Sequence, residues 1–126
     1  MQKLIWLLVF SLLIGGCAAP EKAEYRKISP QDAKEMLDTR SDIILLDVRT
    51  QEEFDAGHIS GAVLLPNTEI AKGAAEALPD KGATILVYCR SGNRSASASR
   101  ELISMGYTGV IDFGGIIEWP YDIITE

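Results

Sequence analysis

Four short apolar runs, each followed by a turn or helix signal, constrain this chain more than any other feature. They are Ile43–Leu46, Ala62–Leu65, Thr84–Tyr88 and Val110–Phe113. Each is too short for a helix of ordinary length. Three of the four have no polar/apolar alternation, so they read as strands buried on both faces, which is the habit of a parallel sheet. The intervening segments carry helix signals. Ser29-Pro30 supplies an N-cap and a first-turn proline ahead of the stripe Ala33, Met36, Leu37. Thr50 with Glu53 three positions on forms a capping box, closed by Gly57. Asn67–Leu78, interrupted by Gly73, and Ser95–Met105, ended by Gly106, read as two further helices. Tyr25–Ile28 is a possible additional strand. Strands alternating with helices predict an α/β domain with a mainly parallel sheet, in which ligands bind beyond the carboxyl ends of the strands.

The first residues do not fit that pattern. Met1–Lys3 is a short basic start, and Leu4–Ile14 is apolar apart from Ser11. Eleven residues cannot span a bilayer as a helix, which takes about 20, but they suit the core of an export signal. Ile14-Gly15-Gly16-Cys17 resembles a bacterial lipobox. The expected division is a signal peptide over 1–16, a lipidated Cys17 with its tether over 17–24, and one domain over 25–126. Fully extended, Ala18–Glu24 reaches only about 25 Å, so the domain would sit near an envelope membrane, facing the periplasm in a Gram-negative cell. The charge balance disfavours nucleic acid and anionic lipid surfaces as partners. The chain has a net charge of −6, and loss of Lys3 with the leader leaves 11 basic against 18 acidic side chains. Nucleic acid is a poor partner for that balance, and membrane attachment would have to come from acyl chains on Cys17 rather than from a basic face. One histidine and two cysteines offer no metal-ligand spacing and no call for a cofactor. With Cys17 acylated, Cys89 is a lone thiol in an exported protein, a class that often pairs its cysteines. The domain is expected to be monomeric.

Cys89 directly follows the Thr84–Tyr88 run. Arg90-Ser91-Gly92-Asn93-Arg94-Ser95 then leads into the Ala- and Ser-rich helical stretch, with Ser95 as its expected N-cap. A helix starting there directs its unpaired N–H groups and the positive end of its dipole toward the cysteine. Such a place holds anions, and the thiolate is the form of cysteine that attacks. The segment reads as a reactive-cysteine loop with two arginines of matching charge.

Three segments in order resemble the rhodanese-like (sulfurtransferase) family over residues 25–121. They are Leu46-Asp47-Val48-Arg49 with Glu53-Phe54 and Gly57–Ala62, then Tyr88–Ser95, then Phe113-Gly114-Gly115-Ile116 with Trp119. The resemblance implies a five-stranded parallel sheet with helices on both faces and a catalytic Cys89 that carries sulfur as a persulfide. It further implies substrate binding by Arg90, Ser91, Gly92, Asn93, Arg94 and Ser95, with no cofactor. Cysteine-dependent phosphatases resemble one another in a Cys-x5-Arg loop. Here Arg94 stands at Cys-x4-Arg and Ser95 holds the phosphatase position. A loop one residue shorter suits the single outer sulfur of a persulfide better than a tetrahedral phosphate.

The implied reaction is double displacement, from a sulfane donor anion such as thiosulfate to a thiol or cyanide. Two alternatives share the scaffold: a non-enzymatic sensor or interaction module, and a persulfide carrier for a dedicated partner. Within the loop, Arg90 reads as a contact for the donor anion. Arg94 either lines the pocket or pairs with a surface carboxylate. Asp47 and Arg49 read as a structural pair supporting the site. His58 reads as a structural hydrogen-bonding residue, Trp119 as packing, and Glu52-Glu53 as solvated surface.

Overall fold

The computed structural model describes residues 23–125. The leader, Cys17 and most of the tether lie outside the described residues. Helix α1 spans Pro30–Thr39, with the Ser29 hydroxyl accepting from the Asp32 N–H at 3.0 Å. Strand β1 (Ile44–Asp47) leads to α2 (Gln51–Ala56), and β2 is the short pair Val63–Leu64. A 3-10 turn over Asn67–Glu69 precedes α3 (Ile70–Ala77). Strand β3 (Thr84–Cys89), α4 (Asn93–Ser104) and β4 (Gly109–Gly115) complete the framework, followed by a 3-10 turn over Ile116–Glu118.

The sheet is parallel throughout, in the order β2-β1-β3-β4. Four strands replace the expected five. Tyr25–Ile28 forms only a single parallel bridge, Lys27 to Asp112, with the Ile28 N–H donating to the Asp112 carbonyl at 2.9 Å. The Ser29 cap of α1 follows directly, so the chain turns away before a ladder can extend.

Strand parity builds two cores. On one face Leu46, Ile85, Val87 and Cys89 pack with Ile70, Ala74, Ala98 and Leu102 of α3 and α4. On the other, Leu45, Leu86, Tyr88 and Ile111 pack with Ala33 of α1, Phe113 and Trp119. The fully apolar runs are thus explained by two-sided burial. Helices cover both faces. From β1 the chain moves one way to β2, then returns past β1 to β3 and β4. The reversal opens a crevice beyond the carboxyl ends of β1 and β3, where ligands of such sheets bind. Asp47 ends one of these strands and Cys89 the other.

Candidate active site

Cys89 is 1 % exposed and closes β3. The backbone N–H of Gly92 donates to its Sγ at 3.0 Å. The strand pairing of β3 with β4 slips between Val87 and Cys89, so Cys89 lies opposite Gly115. That slip brings the loop backbone onto Gly114-Gly115. A Cβ on Gly115 would stand 2.1 Å from the Arg90 carbonyl oxygen and 2.6 Å from Ser91 Cα. Only a residue without a side chain permits this approach. The Ile117 N–H donates to the Arg90 carbonyl at 3.2 Å and ties the loop from the same side.

Helix α4 begins two residues earlier than expected. Its N-cap is Gly92, at φ +106°, and no side chain caps it. Ser95 is therefore not the cap. It lies inside the first turn, buried, and its hydroxyl is shared between the carbonyls of Gly92 (3.1 Å) and Gly114 (3.3 Å). The reason is conformational: the turn out of β3 needs a left-handed residue, and glycine supplies it without strain. The contrast with α1 and α2 is informative. Ser29 and Thr50 spend a hydroxyl on the first-turn N–H groups of those helices. At α4 these donors stay open beside Cys89, and together with the dipole they favour an anion.

Of the other loop residues, Arg90, Ser91 and Asn93 are exposed at the rim. Arg94 is half-buried and grips Glu53 of α2 through two parallel bonds, Nη1–Oε1 at 2.6 Å and Nη2–Oε2 at 2.8 Å. Glu53 is thus not solvated surface. It caps α2 through Thr50 and meets an arginine 41 positions along the chain. The Arg94 guanidinium, with help from the Thr50 N–H, holds the Glu53 carboxyl down at about 2. The capping box was legible in the sequence, but nothing local could reveal its second partner.

Asp47 and Arg49 form a closed unit behind the loop. Arg49 Nη2 and Nε bind the Asp47 carboxylate at 2.7 and 3.0 Å, and Nη2 also donates to the Gly57 carbonyl at 2.7 Å. Both side chains are buried. The guanidinium lies 5.6 Å from the Tyr88 ring centre, and the Tyr88 hydroxyl accepts from the Ile59 N–H. Burial first, then the Asp47 charge, raises the Tyr88 phenol well above its ordinary range. With those bonds made, Arg49 braces β1 against the turn at Gly57. His58 stacks on Phe54 at 3.7 Å, with Nδ1 2.8 Å from the Phe54 carbonyl. Trp119 packs at 5.6 Å from Phe113, and its Nε1 donates to the Asp122 carbonyl.

Asp112, within β4, does more than extend the strand. It is fully buried and accepts from the Gly114 N–H at 2.8 Å and from the Tyr25 hydroxyl. It therefore shapes the glycine pair on which the cysteine loop rests. A cleft of about 340 Å³ lies between Glu53, Gly57, Ile117 and Ile123. A larger one, about 600 Å³, lies on the α1 side near Lys34, Ile59 and Tyr121. Cys89 lines neither, so cleft size does not single out this thiol. Among the described residues no three His, Cys, Asp or Glu side chains converge as a metal site.

A cysteine beside a helix entrance that no side chain caps, at the reversal point of a parallel α/β sheet, defines a class of α/β domains with a cysteine in an anion-favouring loop. Residues 29–120 match the profile of the rhodanese-like domain, and the chain belongs to that family. It is 41 % identical over 71 residues to the thiosulfate sulfurtransferase PspE of Escherichia coli, covering 56 % of this chain and 68 % of that one. It is 33 % identical over 96 residues to the thiosulfate sulfurtransferase GlpE of Pseudomonas fluorescens, covering 76 % and 84 %. A match at 33 % to the probable adenylyltransferase/sulfurtransferase MoeZ of Mycobacterium tuberculosis spans only 26 % of that longer protein. Among solved structures, an Escherichia coli rhodanese with anions aligns at 34 % identity and TM-score 0.62, over 67 % of this chain and 99 % of the other. A rhodanese-related protein of Thermoplasma volcanium aligns at 29 % and 0.71, over 81 % and 100 %.

Proposed function

We propose that this protein is a sulfurtransferase that moves a sulfane sulfur from thiosulfate or a similar anion to a thiol or cyanide through a persulfide on Cys89. The observation that carries this reading is the open first turn of α4 beside Sγ, capped by Gly92 rather than by a hydroxyl. In the first half-reaction the Cys89 thiolate attacks the outer sulfur of the donor. A new S–S bond forms at Sγ, the donor's own S–S bond breaks, and sulfite leaves with that electron pair. The terminal sulfur keeps its negative charge, met by the Gly92 N–H, the N–H groups of Asn93 to Ser95 and the helix dipole. In the second half-reaction the acceptor attacks the outer sulfur and Cys89 departs as thiolate. No general base is required when the thiolate starts the cycle.

The residues divide accordingly. Arg90 meets the donor anion at the rim. Ser91 and Asn93 complete the loop, and Ser95 anchors it to Gly114. Asp47 and Arg49 support the site from behind without touching substrate. The relatives PspE and GlpE carry the name thiosulfate sulfurtransferase, which supports thiosulfate as the donor.

We further propose that the chain is exported, cleaved before Cys17 and acylated there, so that a monomeric domain works at an envelope membrane. Membrane fractionation of Cys17→Ala tests this: release supports the anchor, and unchanged retention refutes it. For the activity, the chain is exposed to thiosulfate and the Cys89 peptide weighed. A single-sulfur adduct, with thiosulfate:cyanide turnover that vanishes in Cys89→Ser, is expected. Turnover that survives Cys89→Ser refutes the reading.

A further inference from the structure

Glu53 has two unrelated jobs in one side chain. Its Oε1 accepts from the Thr50 N–H at 3.3 Å while its backbone N–H donates to Thr50 Oγ1 at 3.2 Å, closing the cap of α2. Both carboxylate oxygens also take Arg94. Arg94 is the second residue of α4, two positions from the N–H that touches Sγ. The ion pair therefore spans the crevice from the β1 side to the β3 side.

The other ionisable groups near Cys89 are mostly tied up by their own partners or lie on the rim. Asp47 and Arg49 neutralise each other in a buried pair. On β4, Asp112 is closed by Tyr25 and the Gly114 N–H. Tyr88, next to Cys89, is held neutral by burial. Arg90 is exposed at the rim and makes no ion pair among the described residues. Arg94 is the cation whose effect at the thiol depends on a partner that a single substitution can remove.

We propose that Glu53 is a positioning residue for sulfur transfer: by holding and offsetting the Arg94 guanidinium, it sets the positive field at Cys89. This inference rests on Cys89 being the sulfur-carrying nucleophile. A field that is too strong would bind the donor anion tightly and hold the persulfide back. A field that is too weak would leave the thiolate and the donor unsupported. Glu53 fixes an intermediate value and keeps the guanidinium at the rim.

The test uses charge variants of opposite sign in the full chain. Glu53→Gln and Arg94→Gln break the same ion pair, so a purely structural role predicts the same direction of change in both. A field effect predicts opposite directions. Iodoacetamide alkylation at pH 6, read on the Cys89 peptide, should quicken about two- to five-fold in Glu53→Gln and slow by a similar factor in Arg94→Gln, the range expected for a partly exposed charge pair. KM for thiosulfate should fall in the first and rise in the second, and the double variant should return toward wild type in both readouts. Thr50→Ala removes the cap hydroxyl and its bond to Glu53 Oε1 but leaves both charges of the Glu53–Arg94 pair in place, so it should lower Tm while moving the alkylation rate far less than either charge variant. Changes of the same sign in both charge variants, or no change in either, would overturn the proposal. Should Glu53→Gln fail to fold, an Arg94→Gln alkylation rate at or above wild type overturns it alone. A wild-type chain that takes up no sulfur instead refutes the sulfurtransferase reading, while the alkylation comparison still stands.

Discussion

Gly115→Ala is the sharpest probe of how the loop is held. The added Cβ would lie 2.1 Å from the Arg90 carbonyl oxygen, 2.6 Å from the Arg90 carbonyl carbon and 2.6 Å from Ser91 Cα. Ordinary contacts between such atoms fall near 3.5 Å, so the shortfall is about 1 Å or more. All three crowded atoms are backbone, which cannot rotate away as a side chain would. They are also pinned, since Ile117 donates to Arg90 and Cys89 is registered against Gly115. Either the loop moves by about 1 Å or β4 separates from β3. Overpacking of this kind costs about 1–3 kcal/mol, which in a domain of this size lowers Tm by roughly 5–20 °C. Displacing the nucleophile and its N–H donors by about 1 Å should cut kcat/KM on the order of 100-fold. The assay is thiosulfate:cyanide turnover at a temperature where circular dichroism shows the variant folded. Gly82→Ala serves as the control, because its Cβ would meet only Asp80 Oδ1, at 3.4 Å. A Gly115→Ala protein with wild-type Tm and turnover would show that the slip at Cys89 does not seat the loop on β4.

Two further outcomes follow from the ion pairs. Asp47→Ala strands the buried Arg49 guanidinium and should cost about 3–5 kcal/mol in denaturant unfolding, whereas Asp47→Ala with Arg49→Met should recover much of that; a single-variant loss under 1 kcal/mol would mean that the pair is not desolvated. The Glu53 carboxyl titrates near 2 in the fold against an ordinary value of 4.5. Its folded value is depressed, so its stabilisation is complete above about pH 4.5 and is lost as pH falls toward 2. The Tm gap between wild type and Glu53→Gln should shrink over that window, and a gap unchanged from pH 7 to pH 2.5 would contradict the assignment.

Much of this protein is readable along the chain because its signals are local. Two-sided burial leaves apolar runs at Ile43–Leu46 and Thr84–Tyr88, and caps at Ser29 and Thr50 announce helices within three residues. The order of the motifs around Asp47, Cys89 and Gly114 likewise marks the family without any contact being known. What tertiary structure alone decided depends on residues far apart in sequence. The Tyr25 segment stops at one bridge because its chain must turn into α1. Gly92 rather than Ser95 caps α4 because the exit from β3, against Gly114-Gly115, demands a left-handed turn. Glu53 finds Arg94 only because the strand order reverses between β1 and β3, bringing the entrances of α2 and α4 to one crevice. Local free energies write the elements into the sequence, whereas the charge balance at Cys89 arises from long-range packing, which no local pattern encodes.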